Sequence, residues 1–189
     1  MNVPIDLSPI SGIILSGGEG RRVGNQDKGW ILWQDRPLIE HVSHNIRTQT
    51  HELIISCNRN VERYRLLADH LCIDATSGYQ GPLAGLQAAL PLATNPLCFI
   101  CPCDTPNLPK DIVSRLYHAK EDNHADVVYV DDGTHHHYLI ALLDRALIPC
   151  LKQYFDAGGR SVKGWYATLM AQTVKITDHP LAFANINTL

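Results

Sequence analysis

No stretch of this 189-residue chain approaches the ~20 consecutive apolar residues that a helix needs to cross a bilayer. Positive charge is not in excess either. The chain has 16 Lys and Arg against 19 Asp and Glu, a formal net charge of -3, which argues against a general nucleic-acid surface. Met1–Ser11 lacks a basic n-region and carries Asp6 and two prolines, so it is a poor signal peptide and the expected location is the cytosol. No repeat, low-complexity tract or linker interrupts the chain. Its length suits one α/β domain with a full core and is short for two, so residues 1–189 are expected to form a single domain. No Ser-His-Asp order and no nucleophile elbow is present. Cys101-x-Cys103 lacks the usual zinc or redox spacing. Most of the six cysteines lie in apolar runs, where a thiol acts as a small hydrophobe, and they are expected to be reduced.

What the chain does have is concentrated between Gly12 and Gly29, GIILSGGEGRRVGNQDKG. Ile13-Ile14-Leu15 reads as a buried strand. It opens into Gly17, Gly18 and Gly20, whose backbone N–H groups a ligand can approach closely, and then into Arg21, Arg22 and Lys28. A strand followed by glycines and three cations suits a polyanion such as a nucleoside triphosphate. The loop is not a P-loop, because Lys28 precedes Gly29 and no Ser or Thr follows. It is not a dinucleotide fingerprint, because Gly18, Gly20 and Gly24 are spaced one residue too far.

Beyond this loop, strands and helices alternate. Strands are expected at Gly12–Leu15, Leu53–Cys57, Cys72–Ile73, Leu97–Cys101, Ala125–Val130, Tyr138–Leu143 and Thr173–Ile176. Helices are expected over Pro37–Gln49, for about ten residues ending near His70, from Gly81 to about Leu92, over Pro109–Lys120, over Asp144–Phe155 and over Ser161–Met170. Such alternation argues for an α/β fold with a parallel sheet, in which ligands bind at the carboxyl ends of the strands. Gly17, Asn58, Asp74 and Asp104 all fall at or just past strand ends, which points to one shared site.

The pattern L-S-G-G-x-x-x-R-x-G-x-x-D-K from Leu15 to Lys28 resembles the signature loop of nucleotidyltransferases with a glycosyltransferase-A-like Rossmann fold. Within them the chain looks most like the molybdenum cofactor guanylyltransferases, a resemblance that runs from Gly12 to Thr188. It departs from the family at Ser16, Val23, Asn25 and Ser56, where Ala, Met, Gly and Asn are more usual. The resemblance implies a three-layer Rossmann-like fold with a mainly parallel sheet. It also implies transfer of GMP from GTP to molybdopterin, with Mg²⁺ as cofactor, GTP and molybdopterin as partners, and transient contacts with other cofactor-biosynthesis proteins and molybdoenzymes. Neither nucleic acid nor membrane is expected to bind.

Asp104 is the candidate metal ligand, because it leaves a strand tip beside the phosphate loop and Mg²⁺ takes one or two carboxylates plus substrate phosphates. Lys28 and Arg22 are candidate catalytic cations that screen phosphates and stabilise charge on the leaving pyrophosphate. The GTP site implied by resemblance comprises Leu15, Ser16, Gly17, Gly18, Lys28, Ser56, Asn58, Asp74, Gly81, Gly85 and Asp104. Gly81-Pro82-Leu83-Ala84-Gly85 resembles the base-reading segment, although a helix start would also explain Gly-Pro. Phe183-Ala184-Asn185-Ile186-Asn187-Thr188 resembles the family's closing motif, and Arg160, Asn185 and Asn187 are implied on the pterin side. Asn185 and Asn187 alternate about Ile186, so both amides can face one side of an extended segment. His135-His136-His137 would alternate faces and suit no single ion.

Two other readings are weighed. A cytidylyltransferase for the same pterin would differ in its choice of CTP. A non-catalytic nucleotide or pterin carrier would bind without releasing pyrophosphate, and would have no need of both Lys28 and Asp104.

Overall fold

The computed structural model describes residues 8–17, 27–73, 81–179 and 181–186. A seven-stranded sheet forms the middle layer. In chain order its strands are β1 (Ile10–Leu15), β4 (Glu52–Ser56), β5 (His70–Cys72), β6 (Leu97–Pro102), β7 (Val127–Asp131), β8 (His136–Asp144) and β9 (Ala171–Lys175). A separate two-stranded ribbon pairs β2 (Leu32–Trp33) with β3 (Arg36–Pro37). The sheet order is β5-β4-β1-β6-β8-β7-β9. Four neighbouring strands, β5, β4, β1 and β6, are parallel. β8 runs antiparallel to both β6 and β7. Its reversal follows from the short connection 132–135, which holds a hairpin but is far too short for a helical crossover.

The layers are legible in side-chain alternation. Ile14, Leu53, Ile55, Phe99 and Cys101 point to one face, where they meet Ile39, Val42 and Ile46 of α1 (Leu38–Arg47) and Ile112 and Leu116 of α4 (Ile112–Asn123). Ile13, Ile54, Cys98 and Ile100 point to the other. There they meet Leu83 and Leu86 of α3 (Pro82–Ala89), Leu151 and Phe155 of α5 (Ile148–Asp156), and Trp165 of α6 (Val162–Tyr166). Central strands covered on both faces read as continuous apolar runs. All six cysteines are free thiols. Cys98 and Cys101 lie an odd number of residues apart in β6, so they face opposite layers. Burial pushes the Cys98 thiol up to about 12.

Several elements are shorter than the sequence predicts. The helix expected for about ten residues up to His70 is only α2 (Val61–Tyr64), followed by turns. Tyr64 is its sole fully buried residue, and Val61, Leu67 and Ala68 beside it reach the core only in part. α3 stops at Ala89 and tightens to a 3₁₀ turn over Leu90–Leu92, because Pro91 has no N–H to continue the ladder. α4 starts at Ile112, three residues after Pro109. The intervening turn is stitched to the end of α1, where Asn45 Nδ2 donates to Leu108 O at 2.6 Å and Gln49 Oε1 accepts from Val113 N at 3.1 Å. α6 covers only the first half of the helix expected over Ser161–Met170.

Candidate functional site

The carboxyl ends of β4, β1 and β6 finish together. Leu15 is paired with Ser56 on one side and Pro102 on the other. The pairing runs one residue further: Ser16 N donates to Ser56 O at 2.8 Å, and Cys103 N donates to Leu15 O at 3.2 Å. The chain leaving β1 and the chain leaving β6 are therefore held side by side. Between these ends and the start of α3 lies a cavity of about 240 Å³. Eight residues singled out from the sequence line it: Leu15, Ser16, Gly17, Lys28, Ser56, Gly81, Gly85 and Asp104. Pro82, Pro102, Cys103 and Leu139 complete the wall. Gly81 has φ +85°, a conformation that favours glycine, and an added Cβ there would meet nothing within 4 Å. Its requirement is conformational. Pro82 then opens the helix at its first position. The other expected nucleotide residues lie elsewhere. Asn58 Nδ2 donates to Gly17 O at 3.2 Å and so steadies the cavity from behind. Gly18, Arg22 and Asp74 fall outside the described residues, as does Asn187 on the pterin side.

Asp104 is 6 % exposed, at the strand tip where the sequence placed it. Its Oδ2 accepts from Lys28 Nζ at 3.1 Å. Its Oδ1 is buried and has no hydrogen-bond partner among the described residues. A buried carboxylate oxygen left without a partner is costly, which makes it a ready ligand for a hard cation. No group of three or more metal-ligating side chains occurs among the described residues. A divalent ion that draws its remaining ligands from substrate phosphates and water fits that donor set. Next to Asp104, burial and the neighbouring carboxylate push the Cys103 thiol up to about 12, so it stays protonated and inert.

A second cavity of about 430 Å³ adjoins the first and shares Asp104, Pro82, Pro102 and Leu139 with it. Asn185, which the family resemblance implies on the pterin side, is one of its lining residues. The segment carrying Asn185 is tied to the site carboxylate's own backbone, with Ile186 N donating to Asp104 O at 2.9 Å. Arg160 is not brought to either cavity wall. Its guanidinium lies 3.9 Å over the Phe155 ring and donates to the carbonyls of Phe155 and Gly159, so it closes the end of α5. The residues that follow it, Ser161, Val162 and Lys163, reach the cavity instead.

His137 also lines the second cavity, which the sequence did not reveal. Its Nε2 lies 2.7 Å from Asp132 Oδ2, and its ring packs on Phe183 at 5.3 Å. The hydrogen bond from His137, with others from Thr134 and His135, holds the Asp132 carboxyl well below the usual carboxylate range. His136 points to the opposite face, against Tyr129 and Tyr138, so the three histidines do not converge. Tyr64 was missed as well. It carries no motif, and its role rests on contacts 37 and 48 residues away in the chain.

The chain is similar to known proteins in both sequence and fold. A family model described as a MobA-like NTP transferase domain matches residues 12–173. A molybdenum cofactor guanylyltransferase of Shewanella amazonensis is 38% identical over 179 residues, covering 95% of this chain and 91% of that protein. One from Pseudomonas syringae pv. syringae is 38% identical over 188 residues, covering 100% of this chain and 94% of its own length. Among solved structures, molybdopterin-guanine dinucleotide biosynthesis protein A from Archaeoglobus fulgidus superposes with a TM-score of 0.77 at 22% identity, covering 94% of this chain and 92% of that one. That likeness shows a shared fold.

Proposed function

We infer the reaction from family and site together: the chain belongs to the MobA-like NTP transferase family, and it transfers GMP from GTP to molybdopterin, releasing pyrophosphate. A terminal phosphate oxygen of the acceptor forms a bond to the α-phosphorus of GTP as the bond from that phosphorus to the pyrophosphate oxygen breaks. The product is molybdopterin guanine dinucleotide, and no covalent enzyme intermediate is needed.

The observation that carries the assignment of residues is the position of Asp104 on the wall between the two cavities. Donor nucleotide in the first cavity and acceptor in the second would meet there. Gly81, Pro82 and Gly85 would receive the base, and Ser16 and Gly17 the phosphates. Lys28 would exchange its contact with Asp104 for the phosphates and stabilise the charge that builds on pyrophosphate. A divalent cation, Mg²⁺ in this proposal, would be held by Asp104 and would polarise the phosphoryl oxygens. Asn185 would contact the acceptor.

The test is pyrophosphate release from GTP or CTP in the presence of molybdopterin and Mg²⁺. Release with GTP and little with CTP is expected. Preference for CTP would keep the mechanism and overturn the base assignment. GTP binding with no release would favour a carrier.

A further inference from the structure

The floor beneath Lys28 is a chain of hydrogen bonds, running from the buried Ser16 and Tyr64 to the half-buried Asp27, whose bonds the reaction as described does not use. Tyr64 is 0 % exposed, and its hydroxyl lies 2.6 Å from Ser16 Oγ and donates to Asp27 Oδ1 at 2.6 Å. The phenol has one proton, which goes to the carboxylate, so Ser16 is the donor in the other bond. Asp27 is held on two further sides, by Gly29 N at 3.2 Å and by Asn60 Nδ2 at 2.9 Å. These bonds fix the backbone on either side of Lys28, whose Nζ reaches Asp104. Gly29 is part of the same fit, because a Cβ there would overlap the Tyr64 hydroxyl. The Tyr64 ring is anchored independently, edge-on to Trp30 at 5.2 Å, with the Arg63 guanidinium 3.6 Å over that indole. Burial, Cys103 and Asp27 all raise the phenol's pKa, so it remains a donor at any working pH.

We propose that Tyr64 is a positioning residue for nucleotidyl transfer: it clamps Ser16 at the end of β1 to Asp27, and through Asp27 sets Lys28 against the phosphates. The inference rests on the reading of Lys28 as the phosphate cation. It explains why a polar network, in place of a plain apolar contact, supports the turn that carries Lys28.

The test is a double-mutant cycle of Tyr64→Phe with Lys28→Ala, read both as kcat/KM for GTP and as the equilibrium affinity for GTP with Mg²⁺. Tyr64→Phe keeps the ring and removes a hydrogen bond to a charged group, so each quantity should fall about tenfold. In the Lys28→Ala background it should cost much less, because most of its effect passes through Lys28 and only the part that passes through Ser16 remains. KM for molybdopterin should stay unchanged throughout. An equal loss in both backgrounds would make Tyr64 merely structural, and no loss in either would also overturn the proposal. If Tyr64→Phe does not fold, Asp27→Asn takes its place in the same cycle under the same criteria. If the wild type binds GTP without transferring it, the reaction reading has failed, and the affinity cycle still decides the role of Tyr64.

Discussion

Asp104 borders both cavities, and its place just past a strand end is legible in the sequence without help from the fold. An acidic residue two places beyond the apolar strand Leu97–Pro102 could only emerge at the carboxyl edge of the sheet. What the sequence could not show is the division of labour between its two oxygens, one on Lys28 and one without a described partner. Asp104→Asn keeps the shape and removes the charge, so turnover should fall by about two orders of magnitude or more, as for loss of a preorganised electrostatic group. Thermal unfolding would show the variant folded, and near-normal activity would exclude the metal role. The glycines differ among themselves. Gly29→Ala would force a Cβ into the Tyr64 hydroxyl, and Gly81→Ala would strain a backbone at φ +85° with open space around it. Each should cost about 1–3 kcal/mol in urea unfolding. Adding Tyr64→Phe should recover part of the loss at Gly29 and none at Gly81. Equal behaviour at the two sites would contradict the packing argument.

At the scale of elements, the hairpin joining β7 and β8 shows how a short loop reshapes a site. Asp132 organises it, with its Oδ1 accepting from Thr134 N at 2.7 Å, Thr134 Oγ1 at 2.6 Å and His135 N at 2.7 Å, while its Oδ2 meets His137. The folded protein binds a proton at Asp132 less readily than the unfolded chain does. The stabilisation is therefore fully present above the ordinary aspartate pKa of about 3.9 and is lost as pH falls through the depressed folded value. The gap in unfolding free energy between the wild type and Asp132→Ala should accordingly be constant from neutral pH down to about 4.5 and shrink below about 4. A gap that widened on acidification would reverse the assignment. Helix lengths were the weakest part of the sequence reading. Periodicity marked α1 well, since Leu38, Ile39, Val42 and Ile46 share one buried face. It overran at α2, where Tyr64 alone is fully buried, and at α6, whose buried stripe of Val162, Trp165 and Tyr166 gives way to a turn.

On the scale of the whole molecule, the alternation of apolar runs with helical segments made the α/β class and the mainly parallel sheet legible. The strand order and the reversal of β8 depend on pairings between distant segments, and these leave no local mark. The same limit applied to the site. Leu15, Gly17, Gly81, Gly85 and Asp104, announced by strand ends and glycines, line the first cavity, whereas Lys163, His137 and Tyr64 reach their places only through packing. Among the described residues no helix is long and apolar enough to cross a membrane. In the proposed reading, two cavities that share one buried carboxylate give the molecule its direction, with the nucleotide in one and the acceptor in the other. The most direct measurement follows the transferred group itself. The protein would be incubated with Mg²⁺, molybdopterin and GTP labelled at its α-phosphate, and the products separated. The label should appear in a molybdopterin dinucleotide in amounts matching the pyrophosphate released. Label found only in free GMP, or only in unreacted GTP while the protein still binds the nucleotide, would contradict guanylyl transfer.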